Sequence, residues 1–72
     1  MQGDFFYQRL GLRIVLIRKT KGMSQEDLSG GAHMDRTYLA RIEQGRVNPS
    51  LRVLHKIART LKVTLSFLLN GV

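Results

Sequence analysis

Residues 33–45, HMDRTYLARIEQG, predict a short helix that starts after Asp35 and ends before Gly45. Asp is a common residue at a helix N-cap, and Gly tolerates the left-handed conformation in which many helices end. With 100° between successive residues, Leu39 and Ile42 point to the same side of this helix. An apolar side of this kind must be buried, so the segment is predicted to pack against a core.

The opposite side of this helix carries side chains that suit the major groove of DNA. Thr37 and Arg41 lie there with the small Ala40 between them, and Arg36 and Tyr38 lie at the flanks. Arginine pairs with guanine edges and with phosphates, and a threonine methyl group contacts a thymine methyl group. We therefore predict that Arg36, Thr37 and Arg41 contact bases, and that Tyr38 either packs its ring at the edge of the core or donates its hydroxyl to a phosphate.

A second short helix is predicted just before this one. Ser24 is a suitable N-cap, and Asp27 three residues later completes a pattern that resembles a capping box. Gln25 and the free amide groups of the first turn form a predicted phosphate site. A short turn joins the two helices, so residues 25–32 and 36–44 are predicted to be the positioning and recognition helices of a helix-turn-helix.

The rest of the chain also predicts helices, and sequence patterns that would indicate β-strands are weak. The first helix is expected over residues 6–21, with residues 1–8 as an extension that leads into it. A fourth helix follows the turn signal NPS, and Thr64 begins a short fifth helix with the sequence LSFLL. The fourth helix has one apolar stripe, formed by Leu51, Leu54, Ile57, Ala58 and Leu61. Residues 1–72 are therefore predicted to form one all-α domain, a compact bundle of five helices.

The charge of the chain favours a polyanionic partner. Twelve Lys or Arg residues against five Asp or Glu residues give a net charge of +7, and every acidic residue lies before position 44. Nucleic acid is the first class of partner that such a field favours, and an anionic membrane surface is the second. The longest apolar run, IVLI, is too short to cross a membrane. The absence of cysteine excludes disulfides and fits a cytoplasmic protein.

Four blocks of the sequence resemble the lambda-repressor/Cro-type helix-turn-helix proteins, also called the XRE family. The blocks are IRKTKGMSQEDLS, AHMDRTYLARIEQG, NPSLRVLHKIARTLKV and LSFLLNG. The trio RTY after Asp35 is most similar to the small controller proteins of restriction–modification systems. The resemblance implies the compact five-helix fold and a transcriptional regulator that binds an inverted-repeat operator on double-stranded DNA as a homodimer. Contact with RNA polymerase stays open, and no small-molecule ligand is expected.

The resemblance also implies roles for single residues. Arg18 and Glu43 match a family pair that forms a partly buried ion pair between the first helix and the recognition helix. The residues expected to contact phosphates are Gln25, Tyr38, Arg46, Asn48 and Arg52. Family members often pair through the last helix, which here contributes Leu65, Phe67 and Leu69. The chain departs from the family at His33, where Gly is usual in the turn, and in the first helix, which is apolar at Leu12, Val15 and Leu16.

Two other classes of function compete with DNA binding. The sequence contains no nucleophile–base pair, metal cluster or glycine-rich phosphate loop, so no catalytic residue, metal or cofactor is expected. A protein-interaction module, such as an antitoxin or an accessory subunit, is the second class. It would use the apolar surplus of the first helix, which is either an enlarged core or a surface for a partner.

Overall fold

The computed structural model describes the backbone of residues 2–72 and the side chains of residues 5–72. Over this range the chain forms five helices and no strand, which confirms the predicted all-α class. The helices are α1 (Gln2–Thr20), α2 (Gln25–Gly31), α3 (Arg36–Glu43), α4 (Leu51–Leu61) and α5 (Leu65–Leu68). Among residues 2–72, no helix combines the length and the apolar character needed to span a membrane.

The prediction of an N-terminal extension was wrong. Helix α1 begins at Gln2, so residues 2–8 belong to the helix and do not lead into it. The aromatic residues Phe5, Phe6 and Tyr7 have only moderately low helix propensity, so a helix tolerates them. Tertiary packing also holds this end, because Gln8 lies against the loop that follows α3.

The core forms where the apolar faces of all five helices meet. Leu10, Ile14 and Ile17 of α1 are buried, as the sequence pattern predicted. Leu39 and Ile42 of α3 are buried against them, which confirms the predicted inner face of this helix. The other buried apolar residues of the cluster are Leu28, Leu54, Ile57, Ala58, Leu61 and Leu68.

Side-chain caps fix where three of the helices begin. The Ser24 hydroxyl accepts from the Asp27 amide at 2.9 Å, and the Ser24 amide donates to the Asp27 carboxylate at 2.9 Å. These two hydrogen bonds complete the predicted capping box of α2. Ser50 and Thr64 cap α4 and α5 in the same manner. Asp35 stands at the N-cap of α3, but its side chain makes no capping hydrogen bond.

The Asp27 carboxylate makes the stability of α2 dependent on pH. The hydrogen bond from the Ser24 backbone lowers the pKa of Asp27 below its ordinary value of 3.8. Because the folded pKa is depressed, this stabilisation is present above the ordinary pKa and is lost as pH falls through the folded value. We expect the thermal midpoint of Asp27→Asn to fall less steeply than that of the wild type between about pH 5 and pH 2. Equal slopes in circular-dichroism melts would contradict the capping role.

The turn between α2 and α3 contains a strained residue. His33 has φ = 53°, so at this turn position, where the family usually has glycine, the residue takes a left-handed conformation. Its amide donates to the Gly30 carbonyl at 3.2 Å, and the Met34 amide donates to the Ser29 carbonyl at 2.9 Å. These bonds end α2 and set the direction in which the chain enters α3.

Candidate nucleic-acid interface

Helix α3 presents three of its polar side chains to solvent. Arg36, Thr37 and Arg41 are all exposed, whereas Leu39 is fully buried on the opposite side. The structure therefore brings the three predicted base-contacting residues to one accessible surface. Tyr38 is half-buried, and its side chain packs against the core cluster.

Arg36 is partly engaged by its own chain. Its Nε lies 3.3 Å from a carboxylate oxygen of Glu26 on α2, and both side chains are mostly exposed. An exposed ion pair of this kind contributes about 0–1 kcal/mol, so a phosphate or a guanine edge competes with it readily. The ion pair joins the first turn of α2 to the first turn of α3.

The other predicted phosphate-contacting residues lie in the segments next to α3 in the chain. Arg46, Asn48 and Arg52 are exposed in the loop after α3 and in the first turn of α4. The Arg46 amide donates to the Arg41 carbonyl at 3.0 Å, so the start of this loop is fixed to the end of α3. Gln25 is half-buried at the first position of α2. Cationic and polar groups therefore lie in the segments that precede and follow α3.

A buried ion pair joins α1 to α3. Arg18 Nε donates to Glu43 Oε2 at 2.7 Å, and Arg18 Nη2 donates to Glu43 Oε1 at 3.0 Å. The third nitrogen of the guanidinium, Nη1, donates to the Met23 carbonyl at 3.0 Å. The two parallel hydrogen bonds fix both the distance and the relative orientation of the Arg18 and Glu43 side chains, because the planar guanidinium matches the planar carboxylate.

Gln25 takes part in the same network, which the sequence did not reveal. Its side-chain Nε2 donates to Glu43 Oε1 at 2.8 Å. An amide nitrogen carries two hydrogens, so the second one remains for a phosphate oxygen. The glutamine is therefore oriented by the ion pair before any ligand arrives. A sequence pattern could not show this contact, since 18 residues separate the two partners.

Two glycines bring α1 unusually close to α3. A Cβ atom at Gly11 would lie 2.6 Å from the Ile42 carbonyl oxygen and closer still to that of Glu43. At Gly45, where φ = 74°, a Cβ would lie 2.7 Å from the Cα of Gln8. The last turn of α3 is thus pressed against the backbone of α1. A glycine inside an apolar helical pattern suggests a close approach in the sequence, but the pattern does not show which helix comes close.

The three residues predicted to pair two subunits differ in their accessibility. Phe67 is 49% exposed, whereas Leu65 and Leu69 are half-buried and pack against the core of their own chain. The short α5 covers one end of the bundle, so Leu65 and Leu69 face the core. Of the three residues, Phe67 is therefore the most accessible.

Comparison with known proteins gives a consistent result. Residues 14–68 match the helix-turn-helix family HTH_3. The control protein C.MunI from a Mycoplasma species is 40% identical over 65 residues, which cover 89% of this chain and 88% of that protein. The restriction-modification controller protein C.AhdI from Aeromonas hydrophila has a similar structure, with a TM-score of 0.85 and 34% identity over 86% of this chain and 94% of that chain.

Longer regulators are also similar to this chain. The HTH-type transcriptional regulator DdrOP3 of Deinococcus deserti is 38% identical over 60 residues, or 83% of this chain. The chain spans only 46% of DdrOP3 and 40% of the immunity repressor protein of Bacillus phage phi105. The matches agree with the resemblance drawn from the sequence, including the likeness to controller proteins, and the family is not one of enzymes. Because the family model covers most of the five-helix bundle, the chain belongs to the helix-turn-helix family HTH_3.

Proposed function

We propose that this protein is a transcriptional regulator that binds an inverted-repeat operator in DNA as a homodimer. The observation that carries the proposal is the exposed face of α3, where Thr37 and Arg41 stand opposite the buried Leu39. A helix with this arrangement fits the major groove, where arginine distinguishes guanine and threonine contacts thymine. The net charge of +7 favours association with the phosphate backbone.

The packing around α3 supports specific reading of bases. Recognition of a base edge requires a side chain that starts from a fixed backbone, because a shift of about 1 Å breaks a bidentate hydrogen bond. The Arg18–Glu43 ion pair and the close contact at Gly11 hold α3 against α1. Gln25 is bonded to the same Glu43, and we propose that its second amide hydrogen contacts a phosphate at the edge of the groove.

The relatives support the regulatory role. C.MunI and C.AhdI are named as control and controller proteins, and DdrOP3 as a transcriptional regulator. We propose the same class of role for this chain, acting on DNA in the cytoplasm. In a dimer, two α3 helices would enter successive major grooves about 34 Å apart. Contact with RNA polymerase would then depend on where the operator lies relative to a promoter.

Substitution of Arg41 tests direct reading of the base sequence. Selection of bound sequences from a random DNA pool would first give the operator. We expect Arg41→Ala to weaken binding to that operator by about 1–3 kcal/mol and to relax base preference at particular positions. Arg52→Ala, which removes a predicted phosphate contact, should weaken binding to every sequence alike. Fluorescence anisotropy on the operator and on single-base variants measures both effects.

Arg59→Ala is the matched control for charge. It also removes one positive charge, but from the last turn of α4, where no DNA contact is predicted. We expect it to change operator affinity much less than Arg41→Ala, and to leave base preference intact. If Arg41→Ala and Arg52→Ala had the same effect on every sequence, direct reading by α3 would be excluded. A random pool that yielded no consensus would contradict sequence-specific binding altogether.

A protein-interaction module is the second candidate function. The observation that favours it is the exposure of Leu12 and Leu16, at 66% and 59%, on the outer side of α1. In such a module another protein would cover these leucines and DNA binding would be secondary. A stable 1:1 complex with a different protein, formed by a chain that selects no DNA consensus, would favour this candidate.

A further inference from the structure

A cationic pocket lies where the end of α2 meets the second half of α4. Its volume is about 420 Å³, which falls in the range of sites that hold small ligands. Its polar lining residues are His33, Lys56, Arg59, Thr60 and Lys62, and none of the described residues that line it is acidic. The pocket therefore combines the size of a ligand site with charge of one sign.

The protein itself does not neutralise the cations of this pocket. Among the side chains of residues 5–72, the carboxylates that form ion pairs belong to Glu26 and Glu43, and both pair with arginines outside the pocket. Lys56, Arg59 and Lys62 have no carboxylate partner within that range. The C-terminal end of a helix carries only about half a negative elementary charge, so the ends of α2 and α4 together balance about one of the three cations. Most of the positive charge remains for a ligand.

Two residues of the cationic pocket hold left-handed backbone conformations that glycine would adopt without strain. His33 has φ = 53°, and Lys62, at the C-cap of α4, has φ = 60°. Within residues 2–72, no other residue except glycine has a positive φ. Such a residue destabilises the fold relative to glycine, and residues of this kind cluster at functional sites. Both positions therefore keep a nitrogen donor at the pocket where the backbone favours glycine.

Direct packing of α4 on the end of α2 holds these groups together. Lys56, Arg59 and Thr60 stand at positions i, i+3 and i+4 of α4, so they share one side of the helix. The Thr60 hydroxyl donates to the Lys56 carbonyl oxygen at 2.9 Å. The Thr60 methyl group lies so close to Gly31 that a Cβ atom there would be 2.6 Å from it. His33, just after α2, therefore lines the same pocket as the cations of α4.

The cationic pocket is separate from the predicted DNA contacts of α2 and α4. Gln25 and Arg52 lie in the first turns of these helices, whereas the pocket lies towards their ends. At 1.5 Å per residue, Gly31 is about 9 Å beyond Gln25 along α2, and Arg59 is about 10 Å beyond Arg52 along α4. No residue of α3 lines the pocket. A small ligand bound there therefore leaves the exposed face of α3 uncovered.

We propose that the cationic pocket binds a small ligand with two or three adjacent phosphate groups, such as inorganic polyphosphate or the phosphate chain of a nucleotide. Lysine and arginine only donate hydrogen bonds, and ionised phosphate oxygens accept them. Adjacent phosphates concentrate several negative charges, which match Lys56, Arg59 and Lys62 around one pocket, whereas a single carboxylate would leave two of these cations unpaired. The inference goes beyond the proposed function and does not depend on it.

The lining of the pocket limits recognition to the phosphates. Of the lining residues only Ala32 has a purely apolar side chain, and Ala32 is buried. None of them is aromatic, so a nucleotide base would have no ring on which to stack. Inorganic tripolyphosphate and adenosine triphosphate are therefore expected to bind with similar affinity. No small-molecule ligand was expected from the sequence, because only the packing of α4 against α2 brings these residues together.

Calorimetric titration of the full chain with inorganic tripolyphosphate tests the pocket, in the absence of DNA and with EDTA to remove divalent cations. We expect one saturable site per chain. His33→Gly and Lys62→Gly should each raise the dissociation constant at least about fivefold, since each removes a donor to a phosphate. Neither variant should lower the thermal midpoint, because glycine relieves the left-handed strain, so weaker binding would not reflect a loss of fold.

Lys19→Ala is the matched control for charge. Lys19 is exposed in the last turn of α1 and does not line the pocket, so its loss should change the dissociation constant by less than about twofold. Equal weakening by Lys19→Ala and Lys62→Gly would mean that the net charge alone attracts tripolyphosphate, and the pocket would be overturned. Weakening by Arg41→Ala as large as that by Lys62→Gly would assign the ligand to α3 and would also overturn it.

Three other probes distinguish the class of ligand. Equal affinity for adenosine triphosphate and tripolyphosphate would support recognition of the phosphates, whereas binding of the nucleotide alone would contradict it. A hexaglutamate peptide that bound as tightly as tripolyphosphate, and lost affinity in Lys62→Gly, would replace the phosphates by the carboxylates of a protein partner. If Lys62→Gly weakened binding to a DNA duplex as much as to tripolyphosphate, the pocket would be a DNA contact and the small-ligand proposal would be wrong.

Discussion

Gly11→Ala is expected to lower the free energy of unfolding by about 3 kcal/mol. Alanine normally stabilises a helix relative to glycine, so the expected sign is opposite to that of helix propensity. The added Cβ would lie 2.6 Å from the Ile42 carbonyl oxygen and would also overlap that of Glu43, and backbone atoms cannot turn aside as a side chain can. For a domain of this size, the thermal midpoint should fall by roughly 15 °C. Urea unfolding followed by circular dichroism measures the change.

Gly30→Ala provides the matched control for this experiment. Gly30 lies inside α2, and no atom of the described residues lies within 4 Å of a Cβ placed there. The same substitution should therefore stabilise the protein by about 0.5–1 kcal/mol. If Gly11→Ala lowers the free energy of unfolding and Gly30→Ala raises it, the loss at Gly11 is caused by contact with α3. If Gly11→Ala also stabilised the protein, the close approach of α1 and α3 would be wrong.

Much of the fold could be predicted from short-range sequence patterns. Leu39 and Ile42 show helical spacing, and both are buried. Ser24 and Asp27 stand three residues apart, and they form a capping box. Such features depend on neighbours within one helical turn, so a single sequence contains the information. The start of α1 could not be predicted equally well, because the aromatic residues before position 8 carry no clear start signal and Gln8 is held by a distant loop.

The sequence predicted which side of α3 faces outward, but it did not predict the contacts that hold α3 in place. The exposure of Thr37 and Arg41 follows from the helical period, because the opposite side is apolar. The bond from Gln25 to Glu43 and the contact at Gly11 join residues that are far apart in sequence. No local pattern encodes the distance between helices. For the same reason the sequence left open whether the apolar surplus of α1 is core or surface, and the structure places Leu12 and Leu16 outside.

Glu43→Ala is expected to destabilise the fold by about 3–5 kcal/mol, because it leaves the Arg18 guanidinium buried without its carboxylate partner. Only the Met23 carbonyl would still accept from Arg18. Gln25 would also lose the acceptor that orients its amide group, so operator affinity should fall beyond what partial unfolding explains. Chemical unfolding gives the first effect, and anisotropy titration of the fully folded fraction at low temperature gives the second.

Two further variants compare the contribution of the buried Arg18–Glu43 pair to stability with that of the exposed Arg36–Glu26 pair. Glu26→Ala breaks the exposed pair with Arg36 and should cost at most about 1 kcal/mol. The double substitution Arg18→Met with Glu43→Leu removes both buried charges, so it should recover most of the stability lost in Glu43→Ala. It should not recover operator affinity, because a leucine cannot accept the hydrogen bond from Gln25. Equal losses for Glu26→Ala and Glu43→Ala would mean that burial adds nothing to the Arg18–Glu43 pair, and the role of this pair in holding α3 for base recognition would be lost.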